Sequence, residues 1–418
     1  MSATQLWESI RLEGQDVQAL HSTPPRKASG RRSGVIARRL GAALAAATLL
    51  CSCAAHNESA SSPSSRGSAK TAAAQDAKLP AGNSFFPTPS ASPPVPVSDL
   101  PVLGVQYNGT WSIYDDAARG RVLDQLSSAG VKWVRIDVSW ATLQPHPGGY
   151  DMQWGVPFID HVLAQARAKG FKILVTFWQA PKWANGSDNV DAPPRDPRQF
   201  AAAAGWAANR WKSSVDAWEI WNEPNFNGYF VGANPATYTR LLCDTYPAVK
   251  KADPNSPVVF GGLMYNDDGW LKRAYSAGAH GCFDVLGTHP FQGPSKAPPS
   301  TPDDGNVWNL THTPAVHNVM VAHGDGAKPI WFTEFGWSSA QPANAKPWNT
   351  GVSEQTQAAY LTQAVEITAR KYPYVKAMFW FRDSDQSTGN AHEDHFGLLR
   401  KNLTPKPALA AMQALTPR

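Results

Sequence analysis

Eight short apolar runs, each rich in β-branched or aromatic residues, constrain the fold of this chain more than any other feature of its sequence. The runs are Val102–Tyr107, Lys132–Val138, Lys172–Phe177, Ala217–Trp221, Val258–Leu263, Asp284–Thr288, Pro329–Thr333 and Val375–Trp380. Between them lie amphipathic stretches typical of helices, namely Ala117–Ala129, Phe158–Lys169, Pro197–Lys212, Pro235–Ala252 and Ser353–Lys371. Several stretches end at turn signals such as Gly130 and Gly170. Eight strands alternating with helices predict an α/β fold, a single (β/α)8 TIM barrel over residues 101–418.

The main rival is a pair of doubly wound domains. A dinucleotide-binding fold would place a glycine-rich fingerprint directly after the first strand. The segment VQYNG at 105–109 lacks that pattern. The single barrel is therefore the preferred prediction.

The residues before the barrel predict export. Four arginines, Arg31, Arg32, Arg38 and Arg39, precede the apolar run Leu40–Leu50, which has the length of an export signal and is too short to span a bilayer. The next residues, LCSC at 50–53, resemble a lipoprotein signal in which Cys53 would carry the lipid anchor, although Cys51 departs from the usual pattern. Ordinary signal cleavage near residues 54–55 is the alternative. Residues 1–53 are thus predicted to be an extension and an export signal, and we expect the protein to be periplasmic or extracellular, with membrane anchoring through Cys53 as one form of export.

A linker is expected from residue 54 to residue 100. This segment is rich in Ser, Ala and Pro and shows no sustained apolar period, so we expect a disordered, flexible tether.

Charge argues against a nucleic-acid partner. The chain carries a formal net charge of +5, but residues 1–40 hold seven Lys/Arg and only three acids. The barrel is therefore nearly neutral and offers no basic footprint.

Four cysteines without paired CxxC spacing make a zinc site improbable. Cys243 and Cys282 could pair in an oxidising compartment, but the sequence does not give the distance between them.

Polar and aromatic residues stand at the ends of the predicted strands, where barrel enzymes keep their sites. These residues are Arg135, Asp137, Trp178, Asn222, Glu223, His289, Glu334 and Trp380. Two of them, Glu223 and Glu334, end strands that face each other across the barrel. Burial beside aromatic residues should raise the pKa of both carboxyls. Hydrolysis of a glycosidic bond needs two such groups, one that protonates the leaving oxygen and one that attacks or activates water.

The motifs WEIWNEPN (218–225) and TEFGW (333–337) resemble those of the clan A retaining glycoside hydrolases. Together with WQAPKWA (178–184), they are most similar to family 39, including its bacterial branch that acts on exopolysaccharides. The resemblance extends from about Leu103 to the GLL (397–399) and KPA (406–408) segments, and it implies hydrolysis of β-glycosides with retention.

The resemblance also implies roles for individual residues. Glu223 would be the acid/base and Glu334 the nucleophile, with carboxyls about 5–5.5 Å apart. Asn222 would bind the sugar 2-hydroxyl, Arg135 would brace Glu334 and keep it ionised, and Trp380 would form the floor of the cleavage subsite. The alternative for Arg135 and Asp137 is that they only pair with each other inside the barrel.

One position departs from the clan pattern. Many members place a Tyr after strand six to hydrogen-bond the nucleophile, whereas the sequence here is HPF at 289–291. Either His289 or another residue, for example Tyr265, serves this role, or the bond is absent. His289 could also be a wall residue.

The segment HEDH (392–395) lacks the spacing of a metal motif, and we predict that it is a rim loop that touches substrate. No cofactor or metal is predicted.

Sixteen of the 17 Trp residues follow residue 100, more than a core of this size needs. The dispersed Trp178, Trp183, Trp308, Trp337, Trp348 and Trp380 favour an endo-acting enzyme on an extracellular or cell-surface polysaccharide. The alternatives are an exo-acting β-xylosidase-like enzyme and a catalytically inactive barrel that only binds polysaccharide. A monomer is expected, and the identity of the sugar is left open.

Overall fold

The computed structural model describes residues 95–111 and 113–416. The predicted signal, the lipidation site at Cys53 and nearly all of the predicted linker lie outside these residues. Among the described residues, no helix is both long enough and apolar enough to cross a membrane.

Eight parallel strands form a closed barrel in sequence order, with β8 paired to β1. Their bounds are β1 Val102–Gln106, β2 Trp133–Ser139, β3 Lys172–Trp178, β4 Ala217–Ile220, β5 Val258–Met264, β6 Val285–His289, β7 Ile330–Phe335 and β8 Val375–Trp380. Every predicted apolar run coincides with one strand to within two residues. The predicted (β/α)8 barrel is confirmed.

Helices surround the barrel. They are α1 Asp116–Ser128, α2 Trp140–Leu143, α3 Gly155–Ala168, α4 Lys182–Asn185, α5 Pro197–Trp211, α6 Pro235–Ala252, α7 Asp268–Ser276, α8 Thr313–Ala322, α9 Glu354–Lys371 and α10 Pro407–Leu415. Local chemistry starts several of them: Asp115 and Asn234 accept hydrogen bonds from backbone N–H groups of α1 and α6, and Pro197 and Pro235 occupy first-turn positions.

The inside of the barrel has two layers. At its N-terminal end the inward side chains are apolar, and Leu174, Val259 and Phe379 belong to one buried cluster. Because side chains alternate along a strand, the inward positions two residues further on form a second layer. That layer is polar and contains Arg135, Thr176 and Glu219. The polar layer faces the C-terminal ends of the strands, so the fold itself places buried charge under the mouth of the barrel.

A disulfide joins Cys243 on α6 to Cys282 in the segment before β6, with a Cα–Cα distance of 4.8 Å. The pairing that the sequence left open is therefore present in the structure.

Candidate active site

A cavity of about 350 Å³ opens at the C-terminal ends of the strands. Its wall is rich in aromatic side chains, which offer flat apolar faces of the kind that stack against sugar rings. The aromatic lining residues are Trp111, Trp178, Phe226, Tyr229, Tyr265, Phe291, Trp308, Trp337, Trp348, Phe381 and Phe396. Of the dispersed Trp residues in the prediction, Trp178, Trp308, Trp337 and Trp348 reach this cavity.

Glu223 and Glu334 lie together in the cavity. Glu223 follows β4 with a backbone φ of 43°, in the left-handed region that residues with a side chain rarely adopt, and its backbone N–H donates to the Gly262 carbonyl. Glu334 lies in β7 where the register with β8 is irregular. A carboxylate oxygen of Glu223 and one of Glu334 are within 4.8 Å of each other. The strands therefore bring two carboxyls, distant in sequence, to within reach of one bond.

Arg135 holds the floor of the cavity together. Its Nη1 donates to Glu334 Oε1 at 2.6 Å and to Gln106 Oε1 at 2.7 Å. Its Nε donates to Glu219 Oε2 at 2.7 Å, and its Nη2 donates to Asn222 Oδ1 at 2.7 Å. The bracing contact between Arg135 and Glu334 is thus present. We call these five residues the floor network.

Asp137 is not among the residues that accept hydrogen bonds from Arg135. It accepts hydrogen bonds from Gln106 Nε2 at 2.9 Å and from Trp111 Nε1 at 3.4 Å. Its carboxylate lines the cavity, whereas Arg135 lies behind the wall.

Burial raises the pKa of both catalytic candidates. For Glu223 the rise is large, because burial acts together with the negative charge of Glu334 and of Glu393. Burial raises the pKa of Glu334 to about 7, against the opposing positive charge of Arg135. The charge of Arg135 acts in the expected direction, because it favours the ionised form of Glu334 and limits the rise that burial causes in the pKa. The larger rise is at Glu223, which favours placing the proton of the pair on that carboxyl.

The sequence analysis considered His289 as a hydrogen-bond partner of Glu334. In the structure, His289 hydrogen-bonds Glu223 instead. Its Nδ1 lies 2.8 Å from Glu223 Oε1 and 3.8 Å from Glu334 Oε2, and its Nε2 lies 3.0 Å from Thr333 Oγ1. Burial, with the charge of Arg135, lowers the pKa of His289 well below its usual value, so the imidazole is neutral. The side chain is fully buried behind the two carboxyls. Tyr265 and Phe291 both line the cavity.

The remaining predicted residues divide into two groups. Trp178 and Asn222 line the cavity with the two glutamates. Trp380 is fully buried, with Nε1 donating to the Phe396 carbonyl at 2.8 Å. This corrects the expectation that its indole face forms the floor for a sugar, because Trp337, Phe335 and Phe396 pack around it.

The HEDH segment lies at the rim. His392 and Glu393 line the cavity, whereas Asp394 accepts hydrogen bonds from Thr388 inside the same loop.

One group of side chains, Glu223, His289 and Glu334, has the spacing of metal ligands within the described part of the chain. Those atoms already bond to one another or to Arg135 and Thr333, and the Arg135 cation 2.6 Å from Glu334 opposes a second cation. The arrangement suits proton transfer rather than metal binding.

Sequence reasoning missed three residues of the site, Gln106, Glu219 and Arg382, and anticipated Glu393 only as part of the HEDH rim loop. The sequence does contain a signal for Glu219. It lies two residues after Ala217 on β4, so both side chains are on the same face of the strand, and it lies four residues before Glu223. Thr176 Oγ1 and the Gly262 backbone also donate to it. Arg382 and Glu393 come from the long segment after β8, where no periodicity indicates which side chains face the cavity.

Comparison with known proteins agrees with this geometry. Residues 98–380 match the model of the cellulase family, glycosyl hydrolase family 5. Among curated relatives, a probable mannan endo-1,4-beta-mannosidase F of Emericella nidulans is 26% identical, over 69% of this chain and 69% of that protein. A probable glucan 1,3-beta-glucosidase A of Aspergillus niger is also 26% identical, over 40% of this chain and 41% of that protein.

Solved structures share the fold. A family 39 glycoside hydrolase from Bacteroides cellulosilyticus WH2 superposes with a TM-score of 0.59 at 23% identity, over 77% of this chain. This chain covers 64% of that protein, a little under two thirds of its length. A monomeric beta-xylosidase from Caulobacter crescentus CB15 has a TM-score of 0.57 at 18% identity, over 77% of this chain and 68% of that one. The resemblance to clan A is confirmed, with a family 5 sequence model and family 39 structural neighbours.

Proposed function

The chain belongs to the cellulase family, glycosyl hydrolase family 5, and on that premise we propose that it cleaves β-glycosidic bonds of a polysaccharide with retention, by double displacement. The observation that carries this proposal is the approach of the Glu223 and Glu334 carboxylate oxygens to within 4.8 Å. Retaining enzymes keep their carboxyls about 5–5.5 Å apart, whereas inverting enzymes need about 6.5–9.5 Å to admit a water molecule.

In the first step, ionised Glu334 attacks the anomeric carbon while Glu223 donates its proton to the leaving oxygen. A neutral imidazole donates from one nitrogen and accepts at the other, so His289 can donate from Nδ1 to Glu223 Oε1 and accept from Thr333. That arrangement leaves the second oxygen of Glu223 to carry the catalytic proton. Asn222, oriented by Arg135, faces the sugar beside both carboxyls.

In the second step, Glu223 acts as a base. Once Glu334 is esterified to the sugar it carries no charge, so the repulsion that raised the pKa of Glu223 falls. Glu223 can then take a proton from water, which attacks the glycosyl ester and restores Glu334.

The test combines polysaccharide screening with substitution. Reducing-end release is measured on β-mannan, β-1,3-glucan, β-1,4-glucan and xylan for the wild type, for Glu334→Gln and for the control Glu366→Gln on α9. We expect a loss of at least about 1000-fold for Glu334→Gln only, since it removes the nucleophile. Full activity in Glu334→Gln on a hydrolysed polysaccharide contradicts the mechanism.

Azide separates the two roles. In Glu334→Ala, azide should replace the nucleophile and give an α-glycosyl azide, and in Glu223→Ala it should attack the intermediate and give a β-glycosyl azide. NMR of the products decides the assignment, and the opposite anomers would exchange the two roles.

We propose endo-cleavage because aromatic residues surround the carboxyls on several sides. Trp178 ends β3 and Tyr229 follows β4, whereas Trp308 and Trp348 follow β6 and β7. A single chain carries both carboxyls, so a monomer suffices. Chromatography of the early products from a hexasaccharide of the hydrolysed polymer tests this, because release of monosaccharide alone indicates exo-action.

We further propose that the protein is exported and tethered through Cys53. The Arg-rich start, the apolar run Leu40–Leu50 and the Ser/Pro-rich linker support this, and so does the disulfide between Cys243 and Cys282, since disulfides persist in oxidising compartments. Labelling with an alkyne fatty acid should mark the wild type and not Cys53→Ala. Equal labelling of both, or of neither, rejects the anchor.

A further inference from the structure

Arg382 is a buried cation that the proposed mechanism does not use. It follows β8 and lines the cavity with only 4% of its surface exposed. Its guanidinium carbon lies 4.3 Å from the Phe381 ring centre and 5.2 Å from that of Trp111. Neither Nε nor Nη1 has a hydrogen-bond partner among the described residues. Buried cations are normally fully paired, so this one requires an explanation.

The nearest carboxylate to Arg382 is Glu393, on the one-turn 3-10 segment Glu393–His395. Arg382 Nη2 and Glu393 Oε2 are 3.8 Å apart, which is too long for a hydrogen bond. The Glu393 side chain is 37% exposed and lines the cavity. Both residues act on the catalytic pair, since Glu393 raises the pKa of Glu223 and Arg382 opposes the rise at Glu334. Both residues line the same cavity as Glu223 and Glu334, so a sugar bound at the two carboxyls comes within their reach.

A gap of 3.8 Å fits one bridging oxygen. An atom about 2.8 Å from both Nη2 and Oε2 completes a triangle with ordinary hydrogen-bond lengths. That atom must accept from a guanidinium and donate to a carboxylate. A hydroxyl group does both, whereas a carboxylate or sulfate oxygen can only accept.

The charges of the side chains that line the cavity also favour a hydroxyl over an anionic group at this position. Asp137, Glu223, Glu334 and Glu393 contribute acidic side chains to its lining, and Arg382 is the one cation among the described lining residues. An anionic substituent beside Arg382 would also lie beside Glu393 and be repelled. The site therefore favours a neutral ligand.

We infer that Arg382 and Glu393 together bracket one hydroxyl of the sugar in the cleavage subsite, and so select neutral sugars over uronic acids. This inference rests on the proposed glycosidase function. It adds a specificity-determining pair to the catalytic residues, supplied by the segment after β8.

The test is a double-substitution cycle read as binding, because binding does not require turnover. The background is full-length Glu334→Gln, and the probes are mannohexaose, cellohexaose and xylohexaose, measured by calorimetry. Arg382→Met keeps the length that packs on Phe381, and Glu393→Ala removes a partly exposed group. Each should weaken the best neutral probe about 10- to 100-fold, since each removes a hydrogen bond to a charged group. The double variant should bind no more weakly than the worse single one.

Multiplying effects, or unchanged affinity in both single variants, overturn the inference. Arg400→Met serves as the control, because Arg400 pairs with Glu354 and does not line the cavity. A mannuronate hexamer, which differs from mannohexaose in carrying a carboxylate at C6, should bind at least tenfold more weakly than mannohexaose. Equal or tighter binding of the acidic probe, or no binding of any neutral probe, also overturns the inference. If the cycle succeeds while the wild type hydrolyses nothing, the proposed function fails and the binding pair stands.

Discussion

The floor network and the loops at the rim of the cavity differ in whether their buried polar groups have hydrogen-bond partners. In the floor network, Arg135 donates to Glu219, Glu334, Asn222 and Gln106, and all five residues are nearly or fully buried. At the rim, several buried polar atoms have no partner among the described residues. They are Arg382 Nε and Nη1, Gln292 Oε1 and Nε2, Trp348 Nε1 and His392 Nδ1.

This difference follows from where the residues lie in the fold. Floor residues belong to strands or strand ends whose positions the barrel fixes, so their hydrogen bonds are formed before a substrate arrives. Rim residues belong to loops after β6, β7 and β8, which leave hydrogen-bonding capacity for a ligand or solvent. We therefore expect substitutions in the floor to affect stability and turnover together, and substitutions at the rim to affect substrate binding and the pH profile while leaving stability nearly unchanged.

Arg135→Met should have the largest effect. It leaves the buried carboxylates of Glu219 and Glu334 without their cation, so we expect a loss of about 3–5 kcal/mol in the free energy of unfolding. Turnover should fall about 100- to 1000-fold, because Glu334 and Asn222 lose the group that orients them. Urea unfolding and steady-state kinetics measure the two effects.

The rim counterpart is Arg382→Met, which leaves no directly hydrogen-bonded carboxylate behind. Its free energy of unfolding should lie within about 1 kcal/mol of the wild-type value, because the substitution breaks no native hydrogen-bonded pair. An equal loss of stability in both variants would remove the distinction between floor and rim.

His289→Leu should have the next largest effect. Loss of the Nδ1 donor to Glu223 should lower kcat about 10- to 100-fold. His289→Asn places an amide N–H near the Nδ1 position and should restore part of this loss. The pH profile is the readout that a merely structural role would not change, since losing a donor to the ionised form raises the pKa of Glu223 and moves the basic limb upward. An unmoved basic limb would show that His289 only fills space.

Much of the floor, and little of the rim, could be predicted from the sequence. Strand periodicity located the eight strands, and the NEP and TEFGW motifs located Glu223 and Glu334, because a strand end has one position in a barrel. The role expected for Trp380 was wrong, since its position at a strand end does not reveal that its ring is fully buried against Phe335 and Trp337. Five helices, α2, α4, α7, α8 and α10, were not predicted, and no local pattern indicated that Arg382 turns toward Trp111.

The acid limb of the pH profile should lie unusually high. Glu334 must be ionised to attack, and burial raises its pKa to about 7, so kcat/KM should rise with pH through that region rather than near the usual 4.5 of a glutamate. Glu223 must stay protonated, and its pKa is raised further by the charge of Glu334. Arg382→Met should move the acid limb upward slightly, because a rim cation that opposes the rise is lost. An acid limb near 4.5 in the wild type would contradict the effect of burial on Glu334.

The smallest expected effects come from a matched pair of tryptophans. Trp348 Nε1 has no partner among the described residues, whereas Trp380 Nε1 donates to the Phe396 carbonyl at 2.8 Å. Replacing the buried Trp380 by Phe should cost about 1–3 kcal/mol of unfolding free energy, because it leaves that carbonyl unpaired. Trp348→Phe breaks no hydrogen bond within the described residues, so its stability should stay within about 0.5 kcal/mol.

Trp348 lines the cavity, so its replacement by Phe should appear in KM, by a few-fold, if the indole N–H binds a sugar hydroxyl. Thermal unfolding and Michaelis–Menten kinetics on the same two variants separate the cases. If Trp348→Phe proves as destabilising as Trp380→Phe with KM unchanged, the unpartnered rim atoms contribute to folding rather than to binding. The opposite result is a loss of stability in Trp380→Phe and a raised KM in Trp348→Phe. It would show that the hydrogen-bonded indole N–H stabilises the fold, whereas the indole N–H without a partner among the described residues binds substrate.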